Sequence, residues 1–282
     1  MRFPHLAVTA LATAAVLSSA DSPLAAKDDF ATVDVPGAVQ TQTIALSPSG
    51  DISGPFVGAD GRVHGFLLSS SQLTQLDVPG AIFTNVNGMN ARRDLVGRFD
   101  TPDGRMHGYL WTGDDYTPIE YPAALQTTAN GINDEGDICG RFVDAAGKTH
   151  AYVLSHGVYA SFDVPAAVTT QAQGINDRGE VTGPYTTPDG RTHGYVKDGD
   201  TFVNIDVPGA VFTTPWGINA EDEVVGQYRL ADGVNHGFRL TRQGFETIDV
   251  PGFSTLRGIN PRGDVAGSYT VAGKLHGFVI WK

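Results

Sequence analysis

The chain is 282 residues long and carries a formal net charge of −12, from 31 Asp and Glu against 19 Lys and Arg. The acids are spread along the sequence, and without clustered Lys and Arg to displace counterions from a phosphate backbone the composition argues against a nucleic-acid partner. Glycine at 35 residues and proline at 16 are too many for a helical protein and fit short strands joined by tight turns.

In chain order, residues 1–26 read as a secretory signal peptide. Arg2 supplies the positive end, Leu6 to Ala20 is apolar but too short to span a bilayer, and small residues place cleavage near Ala20 or Ala26. No later segment approaches the roughly 18 to 20 apolar residues of a membrane span. Residues 27–282 are therefore expected to form one soluble domain, secreted to the periplasm or the cell exterior.

That domain is an array. Asp-Val-Pro-Gly, or a close variant, starts at Asp34, Asp77, Glu120, Asp163, Asp206 and Asp249, each start 43 residues after the last. Each repeat contains four short runs with β character. The first ends in Gly-Ile-Asn, as at Gly131-Ile132-Asn133, Gly174-Ile175-Asn176 and Gly217-Ile218-Asn219. A turn leads to an acid-led second run, such as Asp137 to Phe142 or Glu223 to Tyr228. A Pro-Asp-Gly type turn (Pro102-Asp103-Gly104, Pro188-Asp189-Gly190) leads to a third run carrying His-Gly-aromatic. The fourth runs into Asp-Val-Pro-Gly, where Pro followed by Gly favours a type II turn. Ala123 and Ala166 replace that Gly, so the turn type is expected to differ in those two repeats.

Four strands in a period of this length are the signature of a β-propeller blade. The expected fold is all-β, a six-bladed β-propeller with four-stranded blades. The last repeat stops after its third run, while Phe30 to Val35 is a fourth run without a repeat of its own. This N-terminal strand is expected to complete the last blade and close the ring, leaving no long free edge. Two aromatic columns, Phe56-Phe99-Phe142-Tyr185-Tyr228-Tyr269 and Phe66-Tyr109-Tyr152-Tyr195-Phe238-Phe278, read as the core between blades. The sole cysteine, Cys139, shares a column with Ser53, Val96, Thr182, Val225 and Ala266, which fits a buried inert thiol.

The motifs Gly131-Ile132-Asn133, Gly136-Asp137-Ile138-Cys139-Gly140 and His150-Ala151-Tyr152 resemble those of the extracellular repeat proteins called the HAF family, after a His-Ala-Phe tripeptide. The resemblance spans all six repeats, from about Phe30 to the end, although most of the tripeptides here read His-Gly-Phe or His-Gly-Tyr. It implies secretion and repeat architecture and assigns no catalytic residue.

His64, His107, His150, His193, His236 and His276 form one column and could in principle ring an axial metal. A buried His–Asp network tying strands together fits better, because the third run lies one strand removed from the innermost. No metal site is therefore expected. Calcium in the Asp- and Asn-rich turns is a weaker alternative, since hairpins call for Asp-Gly in any case. The residues leave the cofactor unknown.

Positions that vary between repeats carry the functional reading. The residue before Gly-Ile-Asn reads Ile44, Asn87, Asn130, Gln173, Trp216 and Arg257, and the residue before the first aromatic column reads Pro55, Arg98, Arg141, Pro184, Gln227 and Ser268. If the first run is innermost, the fourth-to-first connections and the Pro-Asp-Gly loops open on one face. Arg98, Arg141, Trp216, Arg257, Asn87, Asn130 and Gln227 are then candidate ligand-binding residues. Two guanidinium groups on neighbouring blades could grip a carboxylate, and Trp216 with Phe83 or Phe212 could stack on a sugar ring. Two function classes follow. One is a module binding an extracellular ligand, an acidic glycan or cell-surface component. The other is a secreted hydrolase or lyase acting on a polysaccharide or other acidic substrate at a single site near the axis. Gly-x-Ser-x-Gly, His-Glu-x-x-His and phosphate-binding glycine loops do not occur, and binding is the favoured reading.

Overall fold

The computed structural model describes residues 10–11, 16–19 and 30–282, and every regular element among them is a strand. Among the described residues, no helix is long and apolar enough to cross a membrane. The predicted cleavage positions, Ala20 and Ala26, lie outside the described residues.

The second repeat sets the pattern. Phe83–Met89, Leu95–Asp100, Met106–Trp111 and Tyr116–Ile119 pair antiparallel in chain order. The third repeat does the same with Gln126–Ile132, Ile138–Val143, Thr149–Ser155 and Val158–Phe162, and the fifth with Phe212–Ile218, Val224–Arg229, Asn235–Thr241 and Gly244–Thr247. In the first and fourth repeats the leading strand is broken, into Gln40–Thr41 and Ala45–Leu46 and into Thr169–Thr170 and Gly174–Ile175. The cause is chemical: the strand opposite carries Pro55 or Pro184, which has no N–H to donate to the ladder. Two links survive in each case: Gln42 N to Pro55 O and Ile44 N to Ser53 O at 3.0 and 2.9 Å, and Gln171 N to Pro184 O and Gln173 N to Thr182 O at 3.0 and 2.8 Å.

The sixth repeat supplies Phe253–Ile259, Val265–Val271 and Lys274–Ile280, and its fourth position is filled by Phe30–Asp34, with Gly277 opposite Val33 and Ile280 opposite Phe30. Thr32 Oγ1 and Tyr269 Oη lie 2.8 Å apart across that pairing, and Val33 and Val35 are buried. Two short strands, Ala10–Leu11 and Val16–Ser19, lie along the outer edges of Gln72–Leu76 and Phe30–Asp34.

Side-chain amides stitch successive repeats together. Asn90 Nδ2 donates to Asn133 O, Asn133 to Asn176 O, Asn176 to Asn219 O, Asn219 to Asn260 O, and Asn260 to Ser47 O, all at 3.0–3.2 Å. Ser47 has no amide to continue the series. There Arg93 reaches back from the second repeat to the buried Asp51, Nε to Oδ2 at 2.8 Å. Burial alone would raise the Asp51 pKa, but hydrogen bonds from Arg93, Ser69, Ser49 and Ser47 outweigh it and hold the carboxyl at about 2.

The second aromatic column is core: Phe66, Tyr109, Tyr152, Tyr195, Phe238 and Phe278 are at most 1% exposed. Cys139 is fully buried and its thiol is pushed up to about 12, so it is not a nucleophile at neutral pH.

One expectation is corrected by the turns. Ala123 and Ala166 do not change the turn: they take φ of 60° and 63°, where Gly37, Gly80 and Gly209 take 78–81°, and Ala124 N and Ala167 N close onto Tyr121 O and Val164 O as in the glycine repeats. Tertiary packing of the flanking strands imposes the left-handed conformation on a residue with a Cβ. Ala123→Gly and Ala166→Gly are therefore expected to stabilise the fold by about 0.5–1 kcal/mol each, measured by denaturant unfolding. Unchanged or lower midpoints would mean that the alanines are unstrained.

Candidate functional site

The histidine column forms clamps. Each imidazole Nδ1 faces the acid that opens the next Asp-Val-Pro-Gly turn: His64 and Asp77 at 2.7 Å, His150 and Asp163 at 2.9 Å, His193 and Asp206 at 2.8 Å, His236 and Asp249 at 2.7 Å, His276 and Asp34 at 2.9 Å, and His107 with Glu120. Each ring also lies against the first aromatic column, from Phe99–His107 at 5.0 Å to Tyr269–His276 at 5.3 Å. These pairs tie the third strand to the end of the fourth within each unit. Among the described residues, no three His, Cys, Asp or Glu side chains converge as a metal site would require.

The residues that break the repeat lead elsewhere. In four repeats the leading strand carries a β-bulge, and the bulged residue is Asn87, Asn130, Trp216 or Arg257: the ladder passes from Val86 to Gly88, from Ala129 to Gly131, from Pro215 to Gly217 and from Leu256 to Gly258. A bulge leaves one residue unpaired and re-aims its side chain. The Gly that follows lets neighbouring repeats approach, since a Cβ at Gly88, Gly131, Gly174 or Gly217 would come within 2.9–3.0 Å of the next repeat's backbone.

The re-aimed side chains meet in a cavity of about 240 Å³. Asn87, Asn130, Arg98, Arg141, Trp216 and Arg257 all line it, so six of the seven predicted residues are brought together. Gln227 is not among them; its Oε1 accepts from Thr255 Oγ1 at 3.0 Å. Phe83 and Phe212 do not line it either. The Trp216 ring is instead covered by the Arg257 guanidinium, 3.7 Å from the ring centroid, and Arg98 sits 4.6 Å over Phe83.

Sequence reasoning missed Asn85, Thr128 and Gln171, which also line the cavity. They lie two residues before Asn87, Asn130 and Gln173, so the period of two in a strand was the signal that pointed to them. Asn85 and Thr128 are also the cross-strand partners of Arg98 and Arg141.

The electrostatics are unusual for an acidic chain. No carboxylate or imidazole lines the cavity. Arg98 is neutralised from outside by Asp100, through Nε–Oδ1 and Nη2–Oδ2 contacts of 2.8 and 2.7 Å. Arg141 and Arg257 have no acidic partner among the described residues. Burial, and then the charge on Arg98, lowers the Arg141 pKa, and burial pushes Arg257 down to about 10. Four buried polar atoms around the cavity have no hydrogen-bond partner among the described residues: Asn85 Oδ1, Thr128 Oγ1, Trp216 Nε1 and Arg257 Nε. Asn87 and Asn130 spend their amide donors on the next repeat, at Ala129 O (3.0 Å) and Ala172 O (2.8 Å). The wall is thus cationic and free of carboxylates, and offers unpaired donors (Trp216 Nε1, Arg257 Nε) beside an unpaired amide acceptor (Asn85 Oδ1), the chemistry of a site for an anion that also carries hydroxyl groups.

Fold and cavity together define a β-propeller built of repeats, with a cationic pocket shared among them. No protein-family model matches the chain, and no curated protein matches it. Solved structures of similar fold include AofleA from Arthrobotrys oligospora (TM-score 0.59, 13% identity, 94% of this chain and 88% of that one). The fucose-recognising fungal lectin of Aleuria aurantia, a six-bladed β-propeller, is similar at a TM-score of 0.54 and 10% identity, over 86% of this chain and 93% of that one. The β-propeller domain of the trilobed protease from Pyrococcus furiosus, of open velcro topology, is similar at 0.55 and 11%, over 96% of each chain.

Proposed function

We propose that the chain is a secreted carbohydrate-binding protein that takes the acidic end of a glycan, a uronic acid, into the central cavity, one per molecule. The observation that carries this reading is the convergence of two unpaired arginines and four unsatisfied buried polar atoms on one small space. Unpaired buried polar groups are costly unless a ligand meets them. At about 240 Å³ the cavity falls below the range typical of drug-sized ligands, which suits a single pyranose ring. Lectins among the proteins of similar fold lend weight to a sugar, and the arginines point to its carboxylate. A hydrolase or lyase at the same place would lack a side chain for acid–base work, since the lining holds no carboxylate or imidazole.

The architecture that goes with this proposal is a six-bladed propeller of four-stranded blades, closed where Phe30–Asp34 joins Lys274–Ile280. A HAF-type extracellular repeat protein would have this form, and its leader, residues 1–26, would be removed near Ala20 or Ala26 on export.

Calorimetric titration tests the reading. D-glucuronic acid is expected to bind with one equivalent per chain, L-fucose and D-galactose far more weakly. Binding should persist from about pH 5, where the carboxylate is ionised, and fade as Arg257 loses its proton above about pH 10. Several equivalents of a neutral sugar, with none of the acidic one, would overturn it.

A further inference from the structure

A second cavity, of about 150 Å³, opens between the first and second repeats, lined by Gln40, Gln42, Pro55, Phe56, Val57, Val63, Phe83 and Asn85. Its origin is the proline already met. Where the second and third repeats carry Arg98 and Arg141, the first carries Pro55, which both empties the space that a long side chain would take and breaks the strand in front of it. Five of the eight lining side chains are apolar, Pro55, Phe56, Val57, Val63 and Phe83, and the amides of Gln40, Gln42 and Asn85 supply the polar remainder. Phe83 presents one face to the Arg98 guanidinium and lines this second cavity as well.

Asn85 lines both cavities, and its Oδ1 is one of the buried atoms with no partner among the described residues. An unpaired acceptor at the junction of a cationic cavity and an apolar one is placed to take a hydrogen bond from a hydroxyl that spans them. We infer that the ligand extends beyond its acidic sugar: the uronic acid sits in the central cavity, Asn85 accepts from a ring hydroxyl at the junction, and the group on the glycosidic oxygen, an apolar aglycone or the apolar face of the next sugar, enters the cavity walled by Phe83, Pro55, Val57 and Val63. This rests on the central cavity being the acid site, and it adds the glycoside as substrate class and a direction of exit between the first two repeats.

The test compares methyl β-D-glucuronide with p-nitrophenyl β-D-glucuronide by calorimetry, on the full chain and on two variants that fill the second cavity from opposite walls, Val63→Trp and Gln40→Trp. Wild type is expected to bind the aryl glycoside about tenfold more tightly than the methyl glycoside. Both variants are expected to keep methyl glucuronide binding, which also reports that they are folded, and to lose the aryl preference. An aryl preference that is absent in wild type, or that survives both substitutions, overturns the second subsite and leaves the central one standing. Failure of wild type to bind either glucuronide overturns the central reading and this inference with it.

Discussion

A chain that begins at Gly37 is expected to melt about 10–20 °C below one that begins at Asp28. The missing strand removes the buried Val33 and Val35, each worth roughly 1.5–3 kcal/mol of burial. It removes the edge-on contacts of Phe30 with Tyr269 and Phe278, at 5.4 and 6.0 Å, the Thr32–Tyr269 hydrogen bond and the His276–Asp34 clamp. It also exposes the outer edge of Lys274–Ile280, whose ladder partner it is. Together these approach about 5 kcal/mol, a large share of the stability of an ordinary domain, and for a chain of this size each kcal/mol moves the midpoint by about 2–4 °C. Calorimetric melting of the two proteins measures the difference. A difference of only a few degrees would mean that Phe30–Asp34 is an appendage and that the sixth repeat stands without it.

The second large effect concerns Arg141 and Arg257, and its two parts have opposite signs. Replacing both with Met is expected to abolish uronic acid binding, a loss of at least about 100-fold, because a carboxylate loses both unpaired cations that face it. The same change is expected to raise the melting temperature of the unliganded protein. Arg257 in the folded chain has a pKa depressed to about 10 from the ordinary 12.5, so the fold disfavours its charged form. At neutral pH the charge is present both folded and unfolded, and the side chain therefore subtracts from stability. Removing it should return about 1–3 kcal/mol after the lost contact with Trp216 is set against the gain. A residue present for structure would behave in the opposite way. A double variant that melts lower than the parent, or that still binds, would remove these arginines from the site.

Much of this was legible in the sequence because repetition makes each residue report six times. The 43-residue period, the four runs and the aromatic columns followed from counting, and a His and an acid in every repeat pointed to the clamps, whose partners prove to lie 13 residues apart in five of the six. The members of the central cavity could be named because they occupy a column that refuses to repeat. Their mutual geometry could not. That Asn87, Asn130, Trp216 and Arg257 are bulge residues depends on how two strands slip past each other, which no single strand encodes. Trp216 was expected beside Phe83 or Phe212 and lies under Arg257, because the bulges turn successive repeats toward a common centre. Pro55 was visible as a variant residue, but the space it leaves appears only when the neighbouring repeat is set against it.

The His276–Asp34 clamp joins residues 242 positions apart. Translation delivers Asp34 near the beginning and His276 near the end, so the edge of Phe30–Asp34 that pairs with Lys274–Ile280 stays unfilled until almost the whole polypeptide has been made. The growing chain must hold Phe30–Asp34 in reserve while the intervening repeats stack one on another from mostly local pairings. Final cohesion is then a single late event, and its rate should respond to changes in Phe30–Asp34 and Lys274–Ile280 while remaining nearly indifferent to those in between.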